Sequence, residues 1–186
     1  MGFREVWQAL SGANETRIPL CTLPRPKPVE VEYVYVEGEP RSHRLQFRKG
    51  RALKFLIGLS RYGEDIERLG SALEHATRPD PADAEGLGFW TRLGLRLLGG
   101  GTPVSCREAI EPSTEDQDPL GYRVTRTFRY RVAHVRRGDG DAILLLASVT
   151  TESQRRRKTE MSRFRLSVSE ADLLAGQLRA FLAATG

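Results

Sequence analysis

The sequence predicts an α+β fold made of two repeats, each an antiparallel β-meander followed by a helix, with both helices packed on one face of the sheets. The main observation behind this prediction is the hydrophobic pattern, which changes from a period of two to a helical period twice along the chain. The second observation is size, because 186 residues, 39% of them hydrophobic, can bury one sizeable core. We therefore expect one compact domain.

The first repeat is preceded by residues 1–28, which are expected to hold a short amphipathic helix at 3–10 and an extended Pro-rich connector at 24–28. The first repeat itself spans residues 29–78. Alternating apolar residues separated by turn residues predict its elements, which are strands at 29–36, 43–48 and 52–59 and a helix from about Ser60 or Glu64 to Ala76. Residues 52–76 are also compatible with one broken helix.

Residues 79–121 differ from their surroundings because prolines and glycines interrupt them repeatedly, and we interpret them as an insert. One short helix is expected within the insert, at residues 87–98, with an apolar side that carries Phe89, Trp90, Leu93 and Leu97. Such a helix either packs on the core as a lid or makes a hydrophobic contact with another subunit. The sequence leaves both interpretations open.

The second repeat, residues 122–186, has the clearest pattern. From Tyr122 to Val132 the even positions are mostly apolar and the odd positions are arginine or threonine, which predicts a long strand with a basic face. Gly138-Asp-Gly140 is typical of a hairpin turn. The other expected elements are a strand at 141–151, a basic loop at 153–159, a strand at 161–168 and a helix opening on a capping box at Ser169–Asp172.

The positive charge of the protein is concentrated in one stretch. The whole chain has 29 Lys and Arg against 24 Asp and Glu, a net charge of +5. Residues 121–168 hold twelve basic and four acidic residues, so this stretch carries +8 and the remainder −3. Like charges on one sheet face repel each other unless a polyanion is bound, which favours a polyanionic partner over a solvated basic surface.

The strand alternation predicts which basic side chains form the binding surface. We expect nucleic-acid contacts on the sheet faces from Arg44, Arg48, Arg123, Arg129, Arg131, Arg163 and Arg165. Four further basic residues of the expected loop extend this surface, namely Arg155, Arg156, Arg157 and Lys158.

Two short stretches carry a resemblance to a known family. The last strand and helix contain Phe164-Arg-Leu-Ser-Val-Ser-Glu-Ala-Asp172, and residues 49–53 are Lys-Gly-Arg-Ala-Leu. The first stretch resembles the end of the Whirly family of single-stranded-nucleic-acid-binding proteins, and the second is similar to that family's Lys-Gly-Lys-Ala-Ala-Leu element. The resemblance implies two meander-plus-helix repeats, assembly into tetramers, and nucleic-acid contacts by Lys49 and Arg51.

The sequence contains no recognisable catalytic, metal-binding or cofactor motif. His43, His75 and His134 are scattered, and Cys21 and Cys106 are too few for a disulfide framework. No apolar run is long enough to span a bilayer, and the N-terminus is too polar for a signal peptide. We therefore expect a cytoplasmic protein without a cofactor, a metal, enzymatic activity or a membrane partner.

These observations favour a non-catalytic protein that binds single-stranded DNA or RNA, with a homo-oligomer as a further expectation. An alternative is a scaffold or interaction subunit that docks an acidic partner through the basic face and the segment around Phe89. A third hypothesis is a β-rich barrel with a ligand pocket lined by Tyr33, Tyr35 and His134.

Overall fold

The computed structural model describes residues 14–39, 41–111, 113–117, 123–153 and 156–185. The first half contains four strands and a helix: β1 (Glu15–Leu23), β2 (Val29–Val36), β3 (Arg44–Lys49), β4 (Ala52–Gly58) and α1 (Tyr62–Thr77). Two shorter helices follow, α2 (Pro81–Glu85) and α3 (Phe89–Gly99). The second half contains β5 (Thr102–Ile110), β6 (Ser113–Gln117), β7 (Arg123–Arg136), β8 (Ala142–Ser153), β9 (Arg156–Ser167) and α4 (Val168–Thr185).

The strands form two antiparallel sheets, which confirms the predicted α+β class. The first sheet has the order β1-β2-β3-β4, and the second has the order β5-β7-β8-β9 with β6 also paired to β7. Because β5 lies along residues 130–136 and β6 along residues 123–127 of β7, these two short strands act as one interrupted edge strand. Each half is therefore a four-stranded meander followed by a long helix.

One hydrophobic core joins both sheets and both long helices. α1 packs against β5 and β7 of the second sheet, whereas α4 packs against β1 of the first sheet, against β9 and against α1. The helix of the first repeat thus supports the sheet of the second repeat, rather than backing only its own meander. In the same core the Phe164 ring of β9 lies 4.9 Å from Phe47 and 6.0 Å from Phe55 of the first sheet.

A buried hydrogen bond also crosses between the two sheets. The backbone N–H of Gly58, at the end of β4, donates to the hydroxyl oxygen of Tyr130 in β7 at 2.9 Å. Tyr130 is 2% exposed, and burial raises the pKa of its hydroxyl above the ordinary value. The bond fixes the end of β4 against the second sheet.

Two segments hold strands that the hydrophobic pattern does not reveal. Residues 15–23, expected to precede the connector without a strand, form β1, and residues 102–117 of the expected insert form β5 and β6. Register shifts interrupt β1 after Pro19 and β5 at two positions, so the period of two is lost in both. The expected helix at residues 3–10 lies outside the described residues.

The start of α4 differs from the predicted start by two residues. The Glu170 N–H donates to Ser167 Oγ at 3.2 Å, and the Ser167 N–H donates to a Glu170 carboxylate oxygen at 2.8 Å. The capping box is therefore Ser167–Glu170 rather than Ser169–Asp172. Burial acts to raise the pKa of Glu170, but hydrogen bonds from Arg25 and Ser167 together lower it below its ordinary value.

α3 lies on the side of the second sheet that faces away from the shared core. Its Leu95 packs into a separate apolar cluster with Ala133, Val135, Leu144 and Leu146. The α3 helix ends at a close approach, since a Cβ on Gly99 would stand 2.9 Å from a Val135 methyl carbon. None of the described helices combines the length and the apolar character that a membrane span needs.

Candidate nucleic-acid interface

We call the side of the second sheet that faces away from the shared core the outer face. The shared core contains the even residues of β7, such as Phe128 and Tyr130, and the odd residues of β8, such as Leu145. The outer face is consequently built from the odd residues of β7 and β9 and the even residues of β8. α3 covers the part around Leu144 and Leu146, where Arg163 of β9 donates to the Leu98 carbonyl oxygen, and leaves the part toward the β8–β9 turn open.

The predicted arginines of the second repeat share this outer face. One row of paired residues across the three strands is Arg131 of β7, Leu146 of β8 and Arg163 of β9. The adjacent row is Arg129, Ser148 and Met161. Neighbouring strands are about 5 Å apart, so the side chains of each row are neighbours. The outer face also carries Arg123 and Arg157 toward the β8–β9 turn, and Arg165 toward the opposite end of β9.

Carboxylates from neighbouring strands accompany most of these arginines. Arg129 Nε donates to a Glu111 oxygen at 2.7 Å, and Arg131 Nε lies 3.9 Å from a Glu108 oxygen. Arg157 Nε lies 3.1 Å from Glu152, Arg165 lies 4.0 Å from Asp139, and Arg123 pairs with Glu115. The outer face is therefore less positive than the charge of residues 121–168 suggests.

The two glutamates beside Arg129 and Arg131 also interact with each other. A side-chain hydrogen bond between Glu108 and Glu111 raises the pKa of Glu108, with burial and the Glu111 charge acting in the same direction, and lowers the pKa of Glu111. Glu108 therefore holds a proton more readily than an ordinary glutamate. All four side chains are between 36% and 48% exposed, so this ionic cluster is open to solvent.

The basic residues expected in a loop at 153–159 mostly belong to a strand. Arg156, Arg157 and Lys158 begin β9, and Arg155 lies outside the described residues. Because side chains alternate along a strand, Lys158 is on the opposite side from Arg157 and lies 2.5 Å from Glu160. The loop prediction was wrong for residues 156–158, since their backbone pairs with residues 151–153 of β8.

The basic residues of the first repeat do not join the outer face. Arg44 is 1% exposed, pairs with Glu15 and donates to the Ser42 carbonyl oxygen at 3.0 Å, so its expected place on an open face was wrong. Arg48 is partly buried and donates to the Arg51 carbonyl oxygen at 3.3 Å. Lys49 and Arg51 are exposed at the turn between β3 and β4, on the edge of the first sheet.

Of the residues proposed for a ligand pocket, Tyr33 and Tyr35 lie side by side, with ring centroids 5.5 Å apart, whereas His134 lies elsewhere. Tyr33 bonds to His43 and packs against Tyr62 at the start of α1, with ring centroids 5.2 Å apart. His134 instead donates from Nδ1 to the Ala76 carbonyl oxygen at 2.8 Å, near the end of the same helix. A 16-residue helix is about 24 Å long, so His134 and Tyr33 do not line one pocket.

A cavity of about 760 Å³ lies between the end of α1, α2 and β5. Asp83 at its wall accepts the Asp80 backbone N–H at 2.9 Å and lies 3.8 Å from Arg107. The His75 Nε2 atom approaches Asp83 to 2.5 Å without hydrogen-bond alignment. These contacts attach α2 to the body of the protein, and no group of three or more metal-ligating side chains occurs among the described residues.

The chain matches no protein-family model, no curated protein and no solved structure. The resemblance to the Whirly family therefore stays a prediction. So do the tetramer and the nucleic-acid contacts of Lys49 and Arg51 that the resemblance implies.

Proposed function

We propose that the protein binds single-stranded DNA or RNA on the open part of the outer face and performs no catalysis. The observation that supports this proposal is the placement of Arg123, Arg129, Arg131 and Arg157 on one sheet face, next to or beyond the part that α3 covers. Both long helices lie on the other side of that sheet, so an extended strand of nucleic acid has access to the part of the outer face that α3 leaves open.

The existing ion pairs are compatible with this role because they are exposed. Arg123 is 70% and Arg157 75% exposed, and pairs of this kind contribute about 0–1 kcal/mol each to stability. Phosphates can replace the carboxylates at small cost, since a charge-assisted pair is exchanged for another. Bound counterions are released at the same time, which makes the affinity depend on salt.

The decisive experiment removes two arginines from the centre of the face. Arg129→Gln with Arg131→Gln should weaken binding of a labelled oligo-dT or oligo-U by at least about tenfold and reduce the slope of log K against log salt by about 1.4. The matched control is Arg61→Gln, just before α1, with Arg179→Gln on α4, which removes the same charge from two exposed ion-paired sites. The control should change the affinity less than about twofold.

Fluorescence anisotropy at several salt concentrations measures these quantities, with a hairpin duplex of equal length for comparison. Wild-type protein that fails to bind single strands at 50 mM salt would overturn the proposal. Equal losses in the two double variants would also contradict it, because the effect would then follow net charge rather than the outer face.

A second candidate, an interaction subunit that docks an acidic protein segment, is favoured by the exposed side of α3. Phe89, Leu93 and Leu97 recur every fourth residue and are 71%, 39% and 77% exposed. Arg92 and Arg96 are also exposed and α3 contains no acidic residue, so its charge complements an acidic apolar segment rather than a second α3.

Leu93→Ser with Leu97→Ser separates the two functions. If the second candidate holds, a co-purifying acidic protein is lost from this variant and is released from wild type by high salt, while oligonucleotide affinity stays the same. A partner that the variant retains contradicts docking on α3.

A further inference from the structure

We infer that Glu108 and Glu111 mask the proposed nucleic-acid interface, so that protonating or neutralising these two carboxylates strengthens binding. The inference rests on the proposed function and concerns how the same site is regulated. In this arrangement the two glutamates occupy the positions on Arg131 and Arg129 that the phosphates of a bound strand would take.

The masking carboxylates come from the strand next to the arginines. Residue 108 of β5 lies directly opposite Arg131 of β7, and Glu111 reaches Arg129 from the short break between β5 and β6. Arg129 uses its Nε–H for Glu111 at 2.7 Å, which is a well-formed charge-assisted bond. A phosphate must displace this bond before it can take the same donor.

Two other arginines of the outer face also pair with a carboxylate, but the described residues place no second carboxylate beside either pair. Arg123 pairs with Glu115 of β6, and Arg157 pairs with Glu152 of β8. Glu108 and Glu111 differ because they also interact with each other, and this interaction raises the pKa of Glu108. This pair therefore combines masking with a carboxyl group whose pKa is raised.

The charged groups around Glu108 and Glu111 shift the pKa values of these two carboxyls. Arg129 and Arg131 of β7 favour the ionised glutamates, whereas Glu111 raises the pKa of Glu108 and the hydrogen bond with Glu108 lowers the pKa of Glu111. The thiol of Cys106 lies on the same strand, and Glu67 and Arg68 of α1 line a small cavity with Arg107 and Glu108. The raised pKa of Glu108 means that this carboxyl takes up its proton at a higher pH than an ordinary glutamate.

Lowering the pH should consequently release Arg131 while phosphodiesters remain ionised. The pair loses negative charge as Glu108 is protonated, and the guanidinium gains freedom to bind the ligand. Affinity for oligo-dT should thus rise as the pH falls from 7.5 toward the ordinary glutamate pKa of about 4.3 at constant ionic strength.

The test compares Glu108→Gln with Glu111→Gln against a control of equal charge, Glu64→Gln with Glu74→Gln on α1. The first double variant should bind oligo-dT about 5- to 30-fold more tightly at pH 7.5, since each exposed pair is worth up to about 1 kcal/mol. The control should change less than about twofold, because both of its glutamates pair with arginines away from the outer face.

The pH series gives a second, independent measurement. Wild-type affinity should rise on acidification, whereas the E108Q/E111Q variant should bind equally at both pH values. An E108Q/E111Q variant that binds like the control, or that keeps the wild-type pH response, overturns the masking inference while leaving the proposed function standing. Wild type that binds no oligonucleotide at either pH overturns the proposed function and the masking inference with it.

Discussion

Replacing Tyr130 with phenylalanine tests whether the hydrogen bond between the two sheets contributes to stability. The substitution keeps the ring in the core but removes the oxygen that accepts the Gly58 N–H at 2.9 Å. The N–H then stays buried without its acceptor, which costs about 1–3 kcal/mol. For a protein of this length the loss corresponds to a decrease in Tm of about 2–12 °C.

Guanidinium unfolding followed by circular dichroism measures the free energy of unfolding of wild type and Tyr130→Phe. The matched control is Tyr62→Phe, which removes an exposed hydroxyl that donates to Thr185 Oγ1 at 2.8 Å and should cost less than about 0.5 kcal/mol. Equal stability of Tyr130→Phe and wild type would refute the importance of the bond. Equal losses in the two variants would show that burial of the hydroxyl does not decide the cost.

Three further predictions concern single side chains. Gly101→Ala should destabilise the protein by about 2–4 kcal/mol in the same unfolding assay, because its Cβ would stand 2.3 Å from the Arg136 carbonyl oxygen. Arg44→Ala should lower stability by about 1–3 kcal/mol yet leave oligonucleotide affinity unchanged, because Glu15 loses one of its two arginine partners and keeps Arg17 at 3.0 Å; an unfolded variant would be replaced by Arg44→Lys in the anisotropy assay. Wild-type stability should fall as the pH drops below about 4, because the folded state holds the pKa of Glu170 below its unfolded value. Glu170→Gln should flatten this acid dependence when thermal unfolding is measured at several pH values.

The alternation of residues along single strands predicts which face each side chain occupies. The odd residues of β7 and β9 were expected on one basic face, and Arg129, Arg131 and Arg163 do share the outer face. This prediction succeeds because the direction of a side chain depends only on the local backbone. The hairpin turn at Gly140, where φ is +121°, was predicted on equally local grounds.

The charge of that face could not be predicted in the same way. The charged stretch was counted from residue 121, but Glu108, Glu111 and Glu115 lie earlier in the chain and reach the arginines through β5–β7 and β6–β7 pairing. The pattern of β5 is broken by bulges, so its pairing was not evident from the sequence. Neighbours in a sheet are set by tertiary register, which one sequence does not specify.

Arg44 illustrates a similar limit for burial. The alternation with Leu45 and Phe47 correctly places its side chain on the other side of β3 from the core. Val34, its partner in β2, and Leu56, the partner of Gln46 on the same side, are nevertheless 0% and 2% exposed. Whether a face is covered depends on the packing of the whole chain, so an arginine on a noncore face is not necessarily available to a ligand.

The exchange of helices between the repeats makes neither half an autonomous folding unit. The buried side of α1, with Ile66 and Leu69, is completed by strands that come more than thirty residues later in the chain. Such long-range closure raises contact order and slows folding, and it couples the two sheets into one cooperative transition. Separately produced halves should stay unfolded until mixed, when each supplies the apolar surface that the other lacks.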